Sequence, residues 1–323
     1  MPIQDRKDKI VPPRADVRDV PRESSEAEPP LPQVRVSALV VSYNCAGALR
    51  RCLRALENSE GRERMEIIVV DNGSRDESPR LDSEFPNSTF LRLPRNFGFV
   101  KALNIAMRSA KAEFLFVVDP RTEVLPGAAM ALAEKLEANE NAAAVAPLLA
   151  TAEGKPGPQL YQLPNAATLG AVSKEGAFRP AAPPAGNEEA VPVEFADLTA
   201  LMVRTWFVKG LRYIDERYSQ FWAGAEIAAQ IRRAGKKILL YPAIRAVWHD
   251  EPAFPPGMPD SARALLEANW SLGAATYAAK HFGFAAGLKV RIAAALGALG
   301  KLQFSRFMYL VSGQKIDGTQ TSM

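Results

Sequence analysis

The 323-residue chain holds only two cysteines and two histidines. Cys45 and Cys52 lie seven apart in one stretch of helical spacing, which keeps them beyond disulfide reach, so both read as reduced structural thiols. So little sulfur and imidazole leaves no zinc-type ligand cluster. Neither G-x-G-x-x-G nor G-x-x-x-x-G-K-[ST] occurs, which disfavours nicotinamide-dependent Rossmann chemistry and a P-loop. No apolar run approaches the ~18 residues that span a bilayer, and no leader peptide is visible, so the expected location is cytoplasmic, free or peripheral on the inner membrane face. The formal charge of +4 and pI near 9.0 suit an anionic small ligand or an anionic surface and are too weak to argue for nucleic acid.

What is present is ordinary globular composition, 47% hydrophobic and 24% charged. Residues 1–33 mix proline with both charge signs and lack a hydrophobic period, which predicts a disordered tail. VRVSALVVSYN is then a buried strand, and AGALRRCLRALE carries helical spacing. MEIIVVDNGS, STFLRLPRN and EFLFVVDP read as further strands, with VKALNIAMRSA a helix among them and LPGAAMALAEKLEAN a helix after them. This alternation predicts an α/β fold, a mostly parallel sheet flanked by helices. Residues 151–192 look irregular. EFADLTALMVRTWFV suggests a strand running into a helix, DERYSQFWAGAEIAAQIRRAG a loop and a helix ending at Gly235, and KKILLYPAIRAVWHD an edge-type strand containing Pro242. From Ser261 to about Leu310, two Ala/Leu-rich helices are expected. A domain over 34–255 with a helical extension over 256–323 follows.

In open parallel sheets, ligands sit beyond the carboxyl ends of the strands. Tyr43-Asn44, Asp71-Asn72-Gly73-Ser74 and Asp119-Pro120-Arg121 would therefore share one crevice. Asp71 there could accept from a base or ribose, or merely end a strand before a capping turn. Gly98 in RNFGFVKALN could let backbone approach a phosphate with Arg95 and Lys101 nearby; a plain loop-to-helix turn explains it almost as well.

The segments VVSYN, VVDNGSRD, RNFGF, VVDPRTEV, ALMVR, YIDERY, IRRAGKK and AVWH resemble, in order and spacing, family 2 glycosyltransferases, most of all the rhamnosyltransferase-like members that build cell-surface polysaccharide. The resemblance spans roughly residues 35–250. It implies a nucleotide-diphospho-sugar transferase fold of the GT-A type, a sugar-nucleotide donor, Mg²⁺ or Mn²⁺, a glycan or lipid-linked acceptor, and inverting transfer assisted by a general base. Carried over, Tyr43 and Asn44 would line the nucleotide pocket and Asp71 would meet the base. Arg95, Asn96 and Gly98 would lie by the ribose and diphosphate. Asp119 and His249 would stand at the metal.

Two departures matter. The second metal-site acid is replaced by Arg121, which could neutralise the diphosphate directly and make the site metal-independent, or could point outward from a decayed site. Where the subgroup supplies its base as Trp-Glu-Asp, this chain reads Trp222-Ala223-Gly224, and neither Ala nor Gly accepts a proton. Glu226, two residues on, and Asp197 in EFADLTALMVR are the remaining candidate bases. The rival expectation is a catalytically impaired protein that binds sugar nucleotide or partners an active enzyme. The C-terminal helices, with Lys289, Arg291, Lys301 and Arg306 among apolar residues, would either lie on a membrane face or simply pack on the core.

Overall fold

The computed structural model describes residues 33–170, 181, 190–251 and 258–314. The tail expected over the first 33 residues falls almost wholly outside them. Strand β1 (Val36–Ser42) is buried along its length, and β2 (Met65–Asp71) and β4 (Phe114–Val118) nearly so, as near-continuous apolar runs require when helices cover both faces. Helix α1 (Ala46–Glu57) buries Leu49, Cys52, Leu53 and Leu56, and α2 (Phe99–Ser109) buries Val100, Leu103, Ala106 and Met107. That spacing of three and four turns one stripe of each helix to the sheet. Burial pushes the pKa of both thiols up, so Cys45 and Cys52 are inert packing groups.

With β3 (Thr89–Arg92), these strands pair in parallel in the order β3-β2-β1-β4. The register sets Ser42 beside Asp71, and Asp71 beside Arg92. All four carboxyl ends thus reach one edge of the sheet. The parallel sheet expected from the sequence is there, but antiparallel strands extend it. Strand β10 (Ala200–Arg204) runs against β4, with Ala200 opposite Val118. Its amino end, residues 197–199, therefore arrives at the edge where β4 ends, and the Asp119 amide donates to the Thr199 carbonyl at 2.9 Å.

Beyond β10 lie β6 (Ala142–Ala150), β11 (Lys237–Trp248) and β5 (Thr122–Val124), with β8 (Val191–Val193) also on β11. One sequence reading is corrected here. Strand β11 is not an edge strand: β6 flanks one side and β5 and β8 the other. Pro242 is accommodated because the β11–β6 register shifts between Tyr241 and Arg245, so its missing N–H interrupts no ladder bond. The Ala-rich run 142–150 also forms a strand, which its composition did not suggest. Two short strands, β7 (Leu160–Tyr161) and β9 (Phe195–Ala196), pair with each other.

Short helices α4 (Ala166–Gly170) and α5 (Thr205–Gly210) and the longer α3 (Ala128–Glu137) and α6 (Gln220–Arg233) complete the core. Among the described residues the carboxyl-terminal region holds three helices, not two: α7 (Asp260–Phe282), α8 (Phe284–Gly300) and α9 (Phe304–Ser312). Gly283, at φ 94°, ends the first; Leu302, at φ 57°, turns the chain between the second and third. A left-handed leucine is a break that helix propensity does not foretell. Trp222 of α6 and Tyr277 of α7 stack at 5.4 Å within one continuous core.

Candidate functional site

The crevice is built from the strand tips upward. After β2 the chain turns sharply at Gly73, φ 78°, where a Cβ would lie 2.8 Å from the Asn96 nitrogen and closer still to the Arg95 backbone. Only glycine lets the 72–74 and 95–98 loops touch. Side chains then staple the two loops: Asn72 Nδ2 donates to Asn96 Oδ1 at 3.0 Å, and the Phe97 amide donates to Asn72 Oδ1 at 2.9 Å. Asn44, itself at φ 49°, donates its amide to Ser74 Oγ and accepts from the Arg75 amide at 2.8 Å. Tyr43, Asn44, Asp71, Asn96 and Gly98 thus meet at one edge, but Asn44 and Asn96 are engaged in shaping the loops.

Asp71 is different. Its Oδ2 accepts from the Ser74 amide at 3.1 Å, while Oδ1 is buried with no partner. Burial raises its pKa against the bonds from Ser74. A buried acceptor left open is costly unless a ligand donor meets it. Gly98 precedes α2, and the space where its Cβ would stand is empty. Arg95 and Lys101 both lie over the Phe97 ring, at 4.9 and 4.6 Å from its centre. A helix amino terminus with two cations held by one aromatic ring is a ready anion site.

The third corner answers the question raised by Arg121. Its Nε donates to Asp119 Oδ1 and its Nη2 to Oδ2, both at 2.9 Å, and its own amide also donates to Oδ1. Gln220 Nε2, from the start of α6, adds a bond to Oδ2 at 3.3 Å. A carboxylate offers about four lone-pair directions, and these donors fill them. A divalent ion does not fit at Asp119 while that pairing holds. Arg121 therefore is neither outward-pointing nor a wholly free cation. It lies over Trp248 at 4.6 Å, and its Nη1 edge makes no hydrogen bond among the described residues. The His249 amide donates to the Arg121 carbonyl at 3.0 Å, so the histidine shares this corner, yet its Nε2 pairs with Glu123 at 3.0 Å. No group of three or more His, Cys, Asp or Glu among the described residues is placed to hold a metal.

The two candidate bases part company. Glu226 is buried at the α6–α7 seam, bonded by Lys280 and His281 at 2.7 Å each, by Gln230 at 2.6 Å and by the Tyr218 hydroxyl at 3.0 Å. Burial alone would raise its pKa, but the bonds from His281, Lys280 and Gln230 outweigh it and hold the carboxyl at about 2. A group so saturated is a structural tie and a poor proton acceptor.

Asp197 sits in the β9–β10 connection, and among the described residues its Oδ1 accepts only from the Leu198 amide, at 2.8 Å. Burial, with a smaller push from the Asp119 charge, raises its pKa to about 7. A Cβ added at Gly224 would lie 2.5 Å from Asp197 Oδ1 and 3.0 Å from Phe195 Cε2. The carboxylate thus stands where a side chain at position 224 would begin. Half-buried Tyr161 and Phe221 pack on Phe195 at 5.5 and 5.2 Å, and burial with the Asp197 charge pushes the Tyr161 hydroxyl up to about 12. Gln220, Trp248 and this aromatic cluster are the members that sequence reasoning did not single out; only the tertiary fold brings them here.

Residues 37–175 match the family model described as Glycosyl transferase family 2. The "Putative glycosyltransferase EpsH" of Bacillus subtilis (strain 168) is 33% identical over 87 residues, 26% of this chain and 25% of that one. The "N-acetylglucosaminyltransferase" of Mesorhizobium japonicum (strain LMG 29417 / CECT 9101 / MAFF 303099) is 29% identical over 139 residues, 41% of this chain and 33% of that one. The chain spans no more than about a third of the length of these curated relatives. Among solved structures, GalNAc-T7 with UDP, GalNAc and Mn²⁺ matches 75% of this chain and 48% of its own, with TM-score 0.56 and 17% identity. S. aureus TarS 1-349 matches 88% of this chain and 95% of its own, with TM-score 0.50 and 12% identity. At such identities the likeness is one of architecture. The chain has the GT-A fold, and its segment 37–175 is the part that matches Glycosyl transferase family 2.

Proposed function

We propose that this protein is a glycosyltransferase that moves a sugar from a nucleotide-diphospho-sugar to a hydroxyl of a glycan or lipid-linked acceptor, with Asp197 as the general base. The observation that carries this reading is the steric exchange between Asp197 and Gly224. The carboxylate missing from the start of α6 is matched by one that arrives from the neighbouring β9–β10 connection into the same space. Its raised pKa keeps it poised near neutrality, where a base works best.

The reaction is a single inverting displacement. Asp197 takes the acceptor's hydroxyl proton, the acceptor oxygen bonds to the anomeric carbon, and the bond from that carbon to the diphosphate breaks with its electron pair leaving on the diphosphate. Arg95, Lys101 and the amino terminus of α2 receive the growing negative charge, and the Nη1 edge of Arg121, at the tip of β4, is a further cation of the same sheet edge. Asp71, through its unpartnered Oδ1, takes a donor hydrogen of the base or ribose. No step is routed through a metal, because Asp119 is already saturated. The motif order favours the rhamnosyltransferase-like subgroup, and with it a role in cell-surface polysaccharide synthesis on the cytoplasmic side.

One observation favours a second reading. The Asp119–Arg121 pair closes the usual metal position, which is also what a protein that binds sugar nucleotide without turnover would show. Calorimetric titration with UDP-, GDP- and dTDP-sugars, each with Mn²⁺ and then with EDTA, tests both. Binding of one donor that is indifferent to EDTA is expected. Binding that needs the metal would overturn the metal-free site, and binding without turnover on any glycan or polyprenyl acceptor would favour the second reading.

A further inference from the structure

Helix α8 is buried along Gly287, Val290, Ala294 and Ala298, where it packs on α7. Much of its other side is apolar too. Phe284, Leu288, Ile292, Leu296 and Leu299, at spacings of four, four, four and three, form a stripe exposed to solvent, with Phe284 79% and Leu296 62% accessible. Helix α9 repeats the pattern with Phe304, Met308 and Val311. Between them Leu302 is 73% exposed at φ 57°, a left-handed position that normally falls to glycine. A strained backbone here serves to present a leucine to solvent. Isolated exposed apolar residues need no account, but a contiguous face of this kind marks a docking surface.

The charge pattern says what docks. From Ala268 to Gln314 there is no Asp or Glu, while Lys280, Lys289, Arg291, Lys301 and Arg306 all fall within it. Lys289 and Arg291 flank the α8 stripe on its two sides, and exposed Lys301 adjoins Leu302. Arg291 also bonds the carbonyls of Leu310 and Val311, and Arg306 bonds Glu267, so the cationic groups hold α9 in place as well as rim the face. Helices α8 and α9 themselves carry no Asp or Glu, so two copies joined through this face would bring Lys289 and Arg291 towards like charges. An anionic bilayer answers both features: the apolar stripe enters the headgroup boundary and the cations meet the lipid phosphates. None of the described helices is long and apolar enough to cross a membrane, so the geometry is one of lying on the surface.

We infer that α8, α9 and the Leu302 turn form a monotopic docking face for an anionic lipid bilayer. Because α7 is tied to α6 through Glu226, the face is rigidly linked to the helix that carries Gly224. The test is sedimentation of the full chain with vesicles of phosphatidylcholine alone or doped with phosphatidylglycerol, at low and high salt. The wild type should pellet with the anionic vesicles and be released by salt. Leu296→Asp with Leu302→Asp should weaken binding about ten-fold or more, and Lys289→Glu should reduce the preference for phosphatidylglycerol. Both altered leucines are exposed, and aspartate tolerates the left-handed position better than leucine, so unchanged melting is expected and is measured alongside. A wild type that stays in the supernatant with both vesicles, or pellets equally when the leucines are replaced, overturns the inference. So does a dimer, seen by light scattering, that the same leucine substitutions split.

Discussion

Replacing Asp197 by asparagine probes catalysis and stability through one group, and the stability arm needs no knowledge of the substrate. The carboxyl has an ordinary value of 3.8, raised by burial to about 7 in the fold. A raised folded pKa means the native state holds the proton longer than the unfolded chain does. The stability it brings is full below 3.8 and is lost as the pH climbs through 7. Between pH 5 and pH 8 the wild type should therefore lose roughly 2.5 kcal/mol that the asparagine variant, which cannot ionise, keeps. For a folded chain of this length that corresponds to roughly 5 °C in melting midpoint. The assay is a pair of thermal or urea unfolding series at the two pH values. The variant should gain on the wild type from pH 5 to pH 8, while kcat falls about 10²–10⁴-fold once the acceptor is in hand. In the wild type, kcat/KM should rise with pH up to about 7, since the base works deprotonated. A constant stability gap between the two chains at both pH values would mean that Asp197 does not titrate near neutrality, and its assignment as base would fall.

Gly224→Ala places a methyl against Asp197 Oδ1 and Phe195, and should cost about 1–3 kcal/mol in urea unfolding while also displacing the base; an alanine variant with wild-type stability and turnover would refute the steric exchange. Glu226→Gln should destabilise by about 2–4 kcal/mol at pH 7, because Lys280 and His281 lose their carboxylate. The Glu226 pKa is depressed to about 2, so its contribution is present above the ordinary value of 4.5 and disappears as the pH falls towards 2. An acid titration of unfolding should show that slope in the wild type and not in the variant. Arg121→Ala removes both guanidinium donors to Asp119 and leaves only Gln220 among its side-chain partners in the described residues, and donor affinity measured calorimetrically should fall at least about ten-fold; unchanged affinity would remove Arg121 from the donor site.

How far the sequence could be read follows from the range of the interactions involved. Buried strands β1, β2 and β4 announce themselves as apolar runs, and α1 and α2 by their spacing, because each signal lies within a dozen consecutive residues. The single crevice was legible too, since parallel strands of like register must end at one edge. Strand β6 was hidden because alanine carries little strand preference and its partners, β10 and β11, lie far along the chain. The third carboxyl-terminal helix was hidden by a leucine in a glycine's conformation.

The site divides in the same manner. Asp71 and Asp119 could be named from their strand ends and Asp197 from the family resemblance, but not what each carboxylate does, because that depends on donors brought from elsewhere. Asp119 is quenched by a residue two places away and by Gln220 on a distant helix. Glu226 looked as available as Asp197 until α7 supplied Lys280 and His281. Burial raises the Asp197 pKa and the Leu198 amide does not offset it, and the carboxylate has room because residue 224 has no side chain. The glycine that reads in the sequence as a lost base leaves, in the fold, the space that the Asp197 carboxylate occupies. The proton affinity of Asp197 therefore belongs to the packing between the β9–β10 connection and α6.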